Sequence, residues 1–411
     1  MKYCYSISRL ILLLMFSLIC ASGMSQQKQT NDYTSLVSLF KDWRAFEKPS
    51  LLKGAPDYTA LNFNKRWPVF KLLQSKLNRI DTSSWTIEHK VDWMLVWAEM
   101  NGYDFNHRVL KPWNRDPAFY KTIFTERSDV PAHEGPSHHA IIDLWKYTFP
   151  LSEAEKIDLI NQLKVIEPLN EQAQLNLTGN AKELWIAGIS DIQSQIDDLN
   201  ELLEKPGVKD DGTLQNLIHQ SIASTQKFVK WLEAESYKKT GPSGIGKENY
   251  NWYAKNVHLV PMTWDDQVVL LKRELSRAWS SLKLEEHRNR NLPMLTEAKT
   301  ILEYDALKEK SVKSFLKFLD QQQLLTMKSY FEPALREHLG RFVPKEKRNF
   351  FLITMHYDPR PLFSHFYHWF ELAQMDLEPH ASEIRRAPLL YNIFDSRNEG
   401  MATAVEEIFM N

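Results

Sequence analysis

Cysteine is nearly absent. The chain has two, Cys4 and Cys20, among 411 residues, and both lie in its first twenty positions. If that segment is removed on export, no thiol remains. Disulfides, thiolate metal ligands and a cysteine nucleophile are then excluded. Stability must come from an apolar core, which a hydrophobic content of 43% allows. Excess charge is also missing: 51 basic and 52 acidic residues give a net charge of −1, with no footprint for nucleic acid. Glycine is scarce at 13 residues, so a glycine cluster is informative. Internal repeats and low-complexity tracts are absent, and alternating strand patterns are few.

What is present begins with a targeting segment. Lys2 and Arg9 flank the start of "LILLLMFSLICASG", and Ala21-Ser22-Gly23 fits a small-x-small cleavage site. Residues 1–23 therefore read as a signal peptide, and the mature protein as exported to the periplasm or beyond. Anchoring as a lipoprotein at Cys20 fits less well, because Ile19 stands where a small residue is expected. The apolar run is short for a membrane span, so none is expected after cleavage. Loss of Lys2 and Arg9 takes the net charge from −1 to −3.

Helical periodicity dominates the rest, predicting a mainly α fold: a multi-helix body with a central cleft and little or no β structure. Trp93, Trp97 and Met100 recur at i, i+4, i+7, with Val96 beside them. Ser152 and Glu155 have capping-box spacing. Residues 180–204 and 213–238 read as long amphipathic helices. Another helix starts after Thr263, with Asp265 and Asp266 complementing its N-terminus. "NFFLITMHY" is the best strand candidate. "KPGVKDDG" and "KKTGPSGIG" are the clearest breaks. The second divides an N-terminal region, 24–240, from a C-terminal one, 241–411, unless the two form one continuous domain. Gly241, Gly244 and Gly246 precede a helix. They serve either a turn needing positive φ or an anion site at the helix start. No Walker Lys-Ser/Thr follows them.

Three segments carry candidate chemistry. "HEGPSHH" holds His133, Glu134, His138 and His139, but its histidines are spaced i, i+5 rather than the i, i+4 of a zincin helix. Gly135 and Pro136 also oppose a continuous helix, so the stretch reads as a loop running into a helix at "HAIIDLW". "PLFSHFYHWFELAQ" places His365 and His368 one turn apart beside an apolar arc, with Glu371 continuing the row. Two histidines and a carboxylate suit zinc; the plainer alternative is boundary residues hydrogen-bonding at a core edge. In "RNEGMATAVEEIF", Met401, Ala404, Val405 and Ile408 form a stripe, with Glu399 and Glu406 opposite. That stripe is three turns long and needs a partner, so the chain is expected to continue beyond Asn411.

Taken in order, these segments resemble a large bacterial group of mostly exported helical proteins, labelled domain of unknown function 885. The likeness spans roughly residues 60–411, through "RIDTSSWTIEHKVDWMLVWAEM", "WNRDPAFY", "GIGKENYNWYAKNVHLVPMTWDDQV", "YDPRPLFSHFYHWFELAQ" and "RNEGMATAVEE". It implies a zinc-peptidase-like site in an all-helical body. Glu399 matches the glutamate of the family's Glu-Gly-Trp-Ala motif, and His365 and His368 fall near its His-Glu-x-x-Pro-Gly-His-His motif. The chain departs from that pattern: the His-Glu pair and Pro-Gly are missing there, and Met401 replaces tryptophan.

Two functions follow as expectations. One is a zinc-dependent hydrolase of peptides or another small polymer. Its metal ligands are His365, His368 and Glu399, and Glu134 or Glu371 is its base. His133, His138, Tyr250, Tyr253, Arg360 and Arg397 would line its cleft. The other is a non-catalytic relative binding peptide or glycan along Trp252, Tyr253, Trp264, Tyr367 and Trp369.

Overall fold

Capping side chains mark many of the helix starts. The computed structural model describes residues 32–128, 139–391 and 394–410. Residues 1–23, His133, Glu134 and His138 lie outside them. Asp32, Thr59 and Thr86 cap α1 (Tyr33–Glu47), α2 (Ala60–Asn78) and α3 (Ile87–Phe105). A π turn, Asn106–Leu110, leads from α3 to α4 (Pro112–Arg115) and a 3-10 turn, Pro117–Tyr120. The Ser152–Glu155 capping box opens α5 (Glu153–Leu163), followed by α6 (Ile166–Asn176). The two long amphipathic helices are α7 (Lys182–Leu203) and α8 (Gly212–Ser236). Gly246, at φ 80°, turns the chain into α9 (Lys247–Asn256). Thr263 and Asp266 form a second capping box at α10 (Trp264–Arg288). Then come α11 (Ile301–Gln322), α12 (Phe331–Glu337), α13 (Phe350–Tyr357), α14 (Arg360–His365), α15 (Tyr367–Leu377) and α16 (Phe394–Met410). Strand structure among the described residues is two two-residue pairs. They are antiparallel β1 (Leu51–Leu52) with β2 (Ala55–Pro56), and parallel β3 (Ile123–Phe124) with β4 (Ile142–Asp143). The fold is mainly α.

Two sequence expectations are corrected here. "NFFLITMHY" is helix α13, not a strand. The Asn349 side chain accepts from Leu352 N at 3.0 Å and caps it. A short, almost wholly apolar run carries no period to separate the two readings. "HAIIDLW" is not a helix either: it supplies β4 and a 3-10 turn, Leu144–Lys146, because Ile142 N bonds back to Thr122 O at 2.7 Å.

Three apolar clusters form the core. One packs α5 to α8 around Trp185, Tyr120 and Phe228. A second packs α11 to α15 around Tyr304, Phe315 and Phe363. The third joins α1, α2 and α3 to Ile384, Leu389 and Tyr391, far along the chain. Buried carboxylates on α3 hold that late segment. Asp92 accepts from Tyr33, Ser382 and Arg385. Glu99, two turns on, accepts from Leu390 N and Tyr391 N, both at 2.9 Å. Gly102 lies against Tyr391 so closely that a Cβ there would stand 1.9 Å from the Tyr391 carbonyl oxygen. The segment seated on α3 is the one that precedes α16.

Candidate metal centre

The "PLFSHFYHWFELAQ" stretch is not one helix. Phe366, at φ −67° and ψ 8°, breaks it into α14 and α15. The break puts His365 at the end of one helix and His368 in the first turn of the next. Their rings meet nearly edge to face, with centroids 5.0 Å apart and planes at 88°.

α16 packs across both helices. Its buried residues include Asn398, Ala402 and Val405, while Met401 and Ile408 are exposed. The predicted stripe is therefore rotated around the helix: Val405 belongs to the buried face, and Ala404 is exposed. That rotation turns Glu399 and Glu406 toward His365, seven residues apart and on one helix face. Glu399 Oε2 lies 3.4 Å from His365 Nε2, and Glu406 Oε1 lies 3.0 Å from His365 Nδ1.

Ligand atoms of His365, His368 and Glu399 all fall within 4.8 Å of one another. Tetrahedral zinc with bonds near 2.0–2.1 Å needs ligand atoms about 3.3 Å apart. The His365–Glu399 edge, at 3.4 Å, already has that length. A three-ligand set of this type leaves a fourth position open, as catalytic zinc sites do. Glu406 stands behind His365 within ion-pair range of Nδ1, the position an outer carboxylate takes beside a ligating imidazole. His368 is buried, and that burial, followed by the neighbouring His365, pushes its imidazole down to about 3. The neutral ring is the ligating form.

The structure also places a residue that sequence reading passed over. The His338 ring stacks on Trp369 with centroids 3.3 Å apart, and Trp369 meets His368 edge-on at 5.2 Å. Burial lowers the His338 imidazole to about 4, helped by Arg127 and His368. No local spacing links His338 to His368, so pattern alone had no means of finding it. Glu406 was visible in the i, i+7 pair with Glu399, but its partner was not.

Other expected site residues are elsewhere. Glu371 does not join the histidines; Arg397 holds it through two bonds of 2.5 and 2.8 Å. Arg360 pairs with its near neighbour Asp358. The Tyr250 hydroxyl donates to Gln267 Oε1 at 2.7 Å. Trp252 and Tyr253 pack on Phe105 with centroids 5.6 and 4.7 Å away, and Trp264 sits under Lys247 Nζ at 3.8 Å. None of these belongs to the His365–His368–Glu399 set. Of the aromatic residues named for the alternative cleft, Trp252 and Tyr253 are half-buried and Trp264 is exposed, while Trp369 stacks on His338 beside the histidine pair.

Glu406→Gln is expected to weaken zinc binding about 10- to 100-fold, the usual effect of losing such an outer partner. Titration against a competing chelator reads this directly. Unchanged affinity would remove Glu406 from the centre.

No family model matches the chain, and no curated protein matches it. A solved structure from Shewanella oneidensis, a provisionally assigned lipoprotein of unknown function, is similar with a TM-score of 0.55. It is 14% identical, and the match covers 92% of this chain and 77% of that one. At that identity the likeness shows the fold alone. None of the described helices is long and apolar enough to cross a membrane. The chain is thus a mainly helical protein sharing its architecture with a structure of unknown function.

Proposed function

We propose that this protein is an exported, zinc-dependent, peptidase-like hydrolase whose metal is held by His365, His368 and Glu399. One observation carries the reading: three ligand atoms of suitable chemistry within 4.8 Å, on three different helices. The resemblance to the domain of unknown function 885 group, and the N-terminal segment 1–23, support it. Bound zinc supplies a Lewis acid for a carbonyl and brings the pKa of a coordinated water near 7.

The chain's own residues have distinct tasks. Glu406, 3.0 Å from His365 Nδ1, sets a carboxylate behind the ligand, while Glu399 faces Nε2. Packing of Trp369 and His338 beside His368 excludes water from the deep side. His365 and Glu399 are partly exposed and form the open side, where a peptide carbonyl would approach.

A second reading is favoured by the Glu371–Arg397 pair. Arg397 engages both Glu371 carboxylate oxygens, which turns them away from the His365–His368–Glu399 set. The other base candidate, Glu134, lies outside the described residues. The protein is then a binder of peptide or glycan that uses the centre structurally.

Elemental analysis of purified mature protein tests the first claim. The wild type should carry about one zinc per chain, held by the His365–His368–Glu399 set. The His365→Ala/His368→Ala protein should carry none. Negligible metal in both would sink the centre. Hydrolysis of a mixed peptide library, blocked by a chelator, then separates the two readings. Absence of cleavage by zinc-loaded wild type decides for binding alone.

A further inference from the structure

Away from the histidine centre, several buried polar atoms without a well-formed hydrogen bond belong to residues that line one cavity. They are the two carboxylate oxygens of Glu47, the Tyr103 hydroxyl and both ring nitrogens of His107. Glu47 keeps an ion-pair contact of 2.8 Å with Arg44 Nη1 and shares a side-chain hydrogen bond with Glu99, so Tyr103 and His107 are the groups left most in need of a partner. The His107 ring has the Tyr103 carbonyl one turn back, outside good hydrogen-bond geometry. Tyr103 and Glu47 are 4% and 3% exposed, so solvent does not satisfy them. A buried polar group left unmet costs about 1–3 kcal/mol. Several around one space point to an occupant.

Size and chemistry narrow that occupant. The cavity offers about 30 Å³ to water-sized groups. One water needs about 10–15 Å³, so roughly two oxygen-sized groups fit inside. Phe63 and Trp113, whose centroids lie 3.9 Å apart, supply an aromatic wall. Arg66 lines the cavity too, with Nη2 donating to the Phe46 and Lys48 carbonyls. Its positive charge opposes a cationic ligand. Burial also drives the wall groups to their neutral forms. It lowers the His107 imidazole to about 4, and with Glu99 it holds the Glu47 carboxyl well above its ordinary range. A protonated carboxyl, a phenol and a neutral imidazole each both donate and accept. Hydroxyl groups do the same.

We propose that this cavity is a second binding site, for the diol end of a neutral hydroxylated ligand. Two hydroxyls are buried among Glu47, Tyr103 and His107, and carbon–hydrogen faces lie against Phe63 and Trp113. A monosaccharide and a simple polyol share this chemistry. The site is independent of the metal centre.

Calorimetric titration of metal-stripped His365→Ala/His368→Ala protein tests it without involving zinc. The probes are glucose, glycerol, glucosamine as a cation and glucuronate as an anion. Saturable binding of a neutral probe is expected; glucose above glycerol assigns a sugar, the reverse a polyol. Tyr103→Phe should weaken that binding about tenfold, the usual effect of losing one hydrogen bond. Its unliganded melting temperature should be unchanged or raised, because a buried unpaired hydroxyl is gone. His107→Gln is the second variant, retaining a donor and an acceptor. It should bind more tightly than His107→Ala. No saturable binding of either neutral probe means water alone fills the cavity and overturns the proposal. Equal affinity in the His365→Ala/His368→Ala protein with and without Tyr103→Phe, or preference for glucosamine or glucuronate, overturns it as well.

Discussion

Glu99→Ala is expected to lower folding stability by about 3–5 kcal/mol, the range for removing one partner of a buried charged cluster. Glu99 is fully buried and accepts the backbone N–H groups of Leu390 and Tyr391. It also lies 3.8 Å from Arg44 Nη1. Alanine would strand two buried amides and leave Arg44 with Glu47 as its acidic neighbour. Since a domain's whole stability is about 5–15 kcal/mol, such a loss is severe. Denaturant melts of both proteins measure it. The same seat leads into α16, so zinc binding should weaken in Glu99→Ala while His365 and His368 are intact. A loss under about 1 kcal/mol would show that the segment is held mainly by apolar contacts.

Glu47 gives this cluster a pH signature. Burial first, then the neighbouring Glu99, holds its carboxyl well above the ordinary value of 4.5. A raised acid stabilises the fold when protonated. That contribution is complete below the unfolded pKa and is lost as pH rises through the folded one. Wild type should therefore lose stability relative to Glu47→Gln as pH climbs above about 4.5. The limiting slope is about 1.4 kcal/mol per pH unit for one proton. Parallel stability curves for the two proteins across pH 4 to 8, a range of about four units, would count against a raised Glu47.

Gly102→Ala should give the second large effect. Its added methyl would meet the Tyr391 carbonyl oxygen at 1.9 Å, the Tyr391 Cβ at 2.5 Å and its carbonyl carbon at 2.7 Å. All three atoms belong to Tyr391, and two are backbone, so rotation of a flexible side chain cannot relieve the clash. Overpacking typically costs about 1–3 kcal/mol, and a backbone obstacle places this substitution at the upper end. The displaced Tyr391 would also pull its N–H from Glu99. A double mutant with Glu99→Ala should then lose less than the sum of the two single changes. Full additivity would mean that the two residues act separately.

Much of this protein was legible because its signals are local. Ser152 with Glu155, Thr263 with Asp266, and the apolar periods of α7 and α8 lie within one or a few helical turns. Backbone hydrogen bonding and capping act over that same range, so the sequence by itself determined the mainly helical class and several helix starts. It also named His365, His368 and Glu399, because an i, i+3 histidine pair and a glutamate beside Gly400 are compact features. Tertiary structure decided which of the named groups meet. Packing set the rotation of α16, which turned Glu399 and Glu406 to His365 and took Glu371 to Arg397. A carboxylate on α3 and amides nearly three hundred residues later have no shared pattern. Their meeting, like the joining of Glu47, Tyr103 and His107 around one cavity, depends on how separate apolar faces pack, which no single helix's sequence specifies.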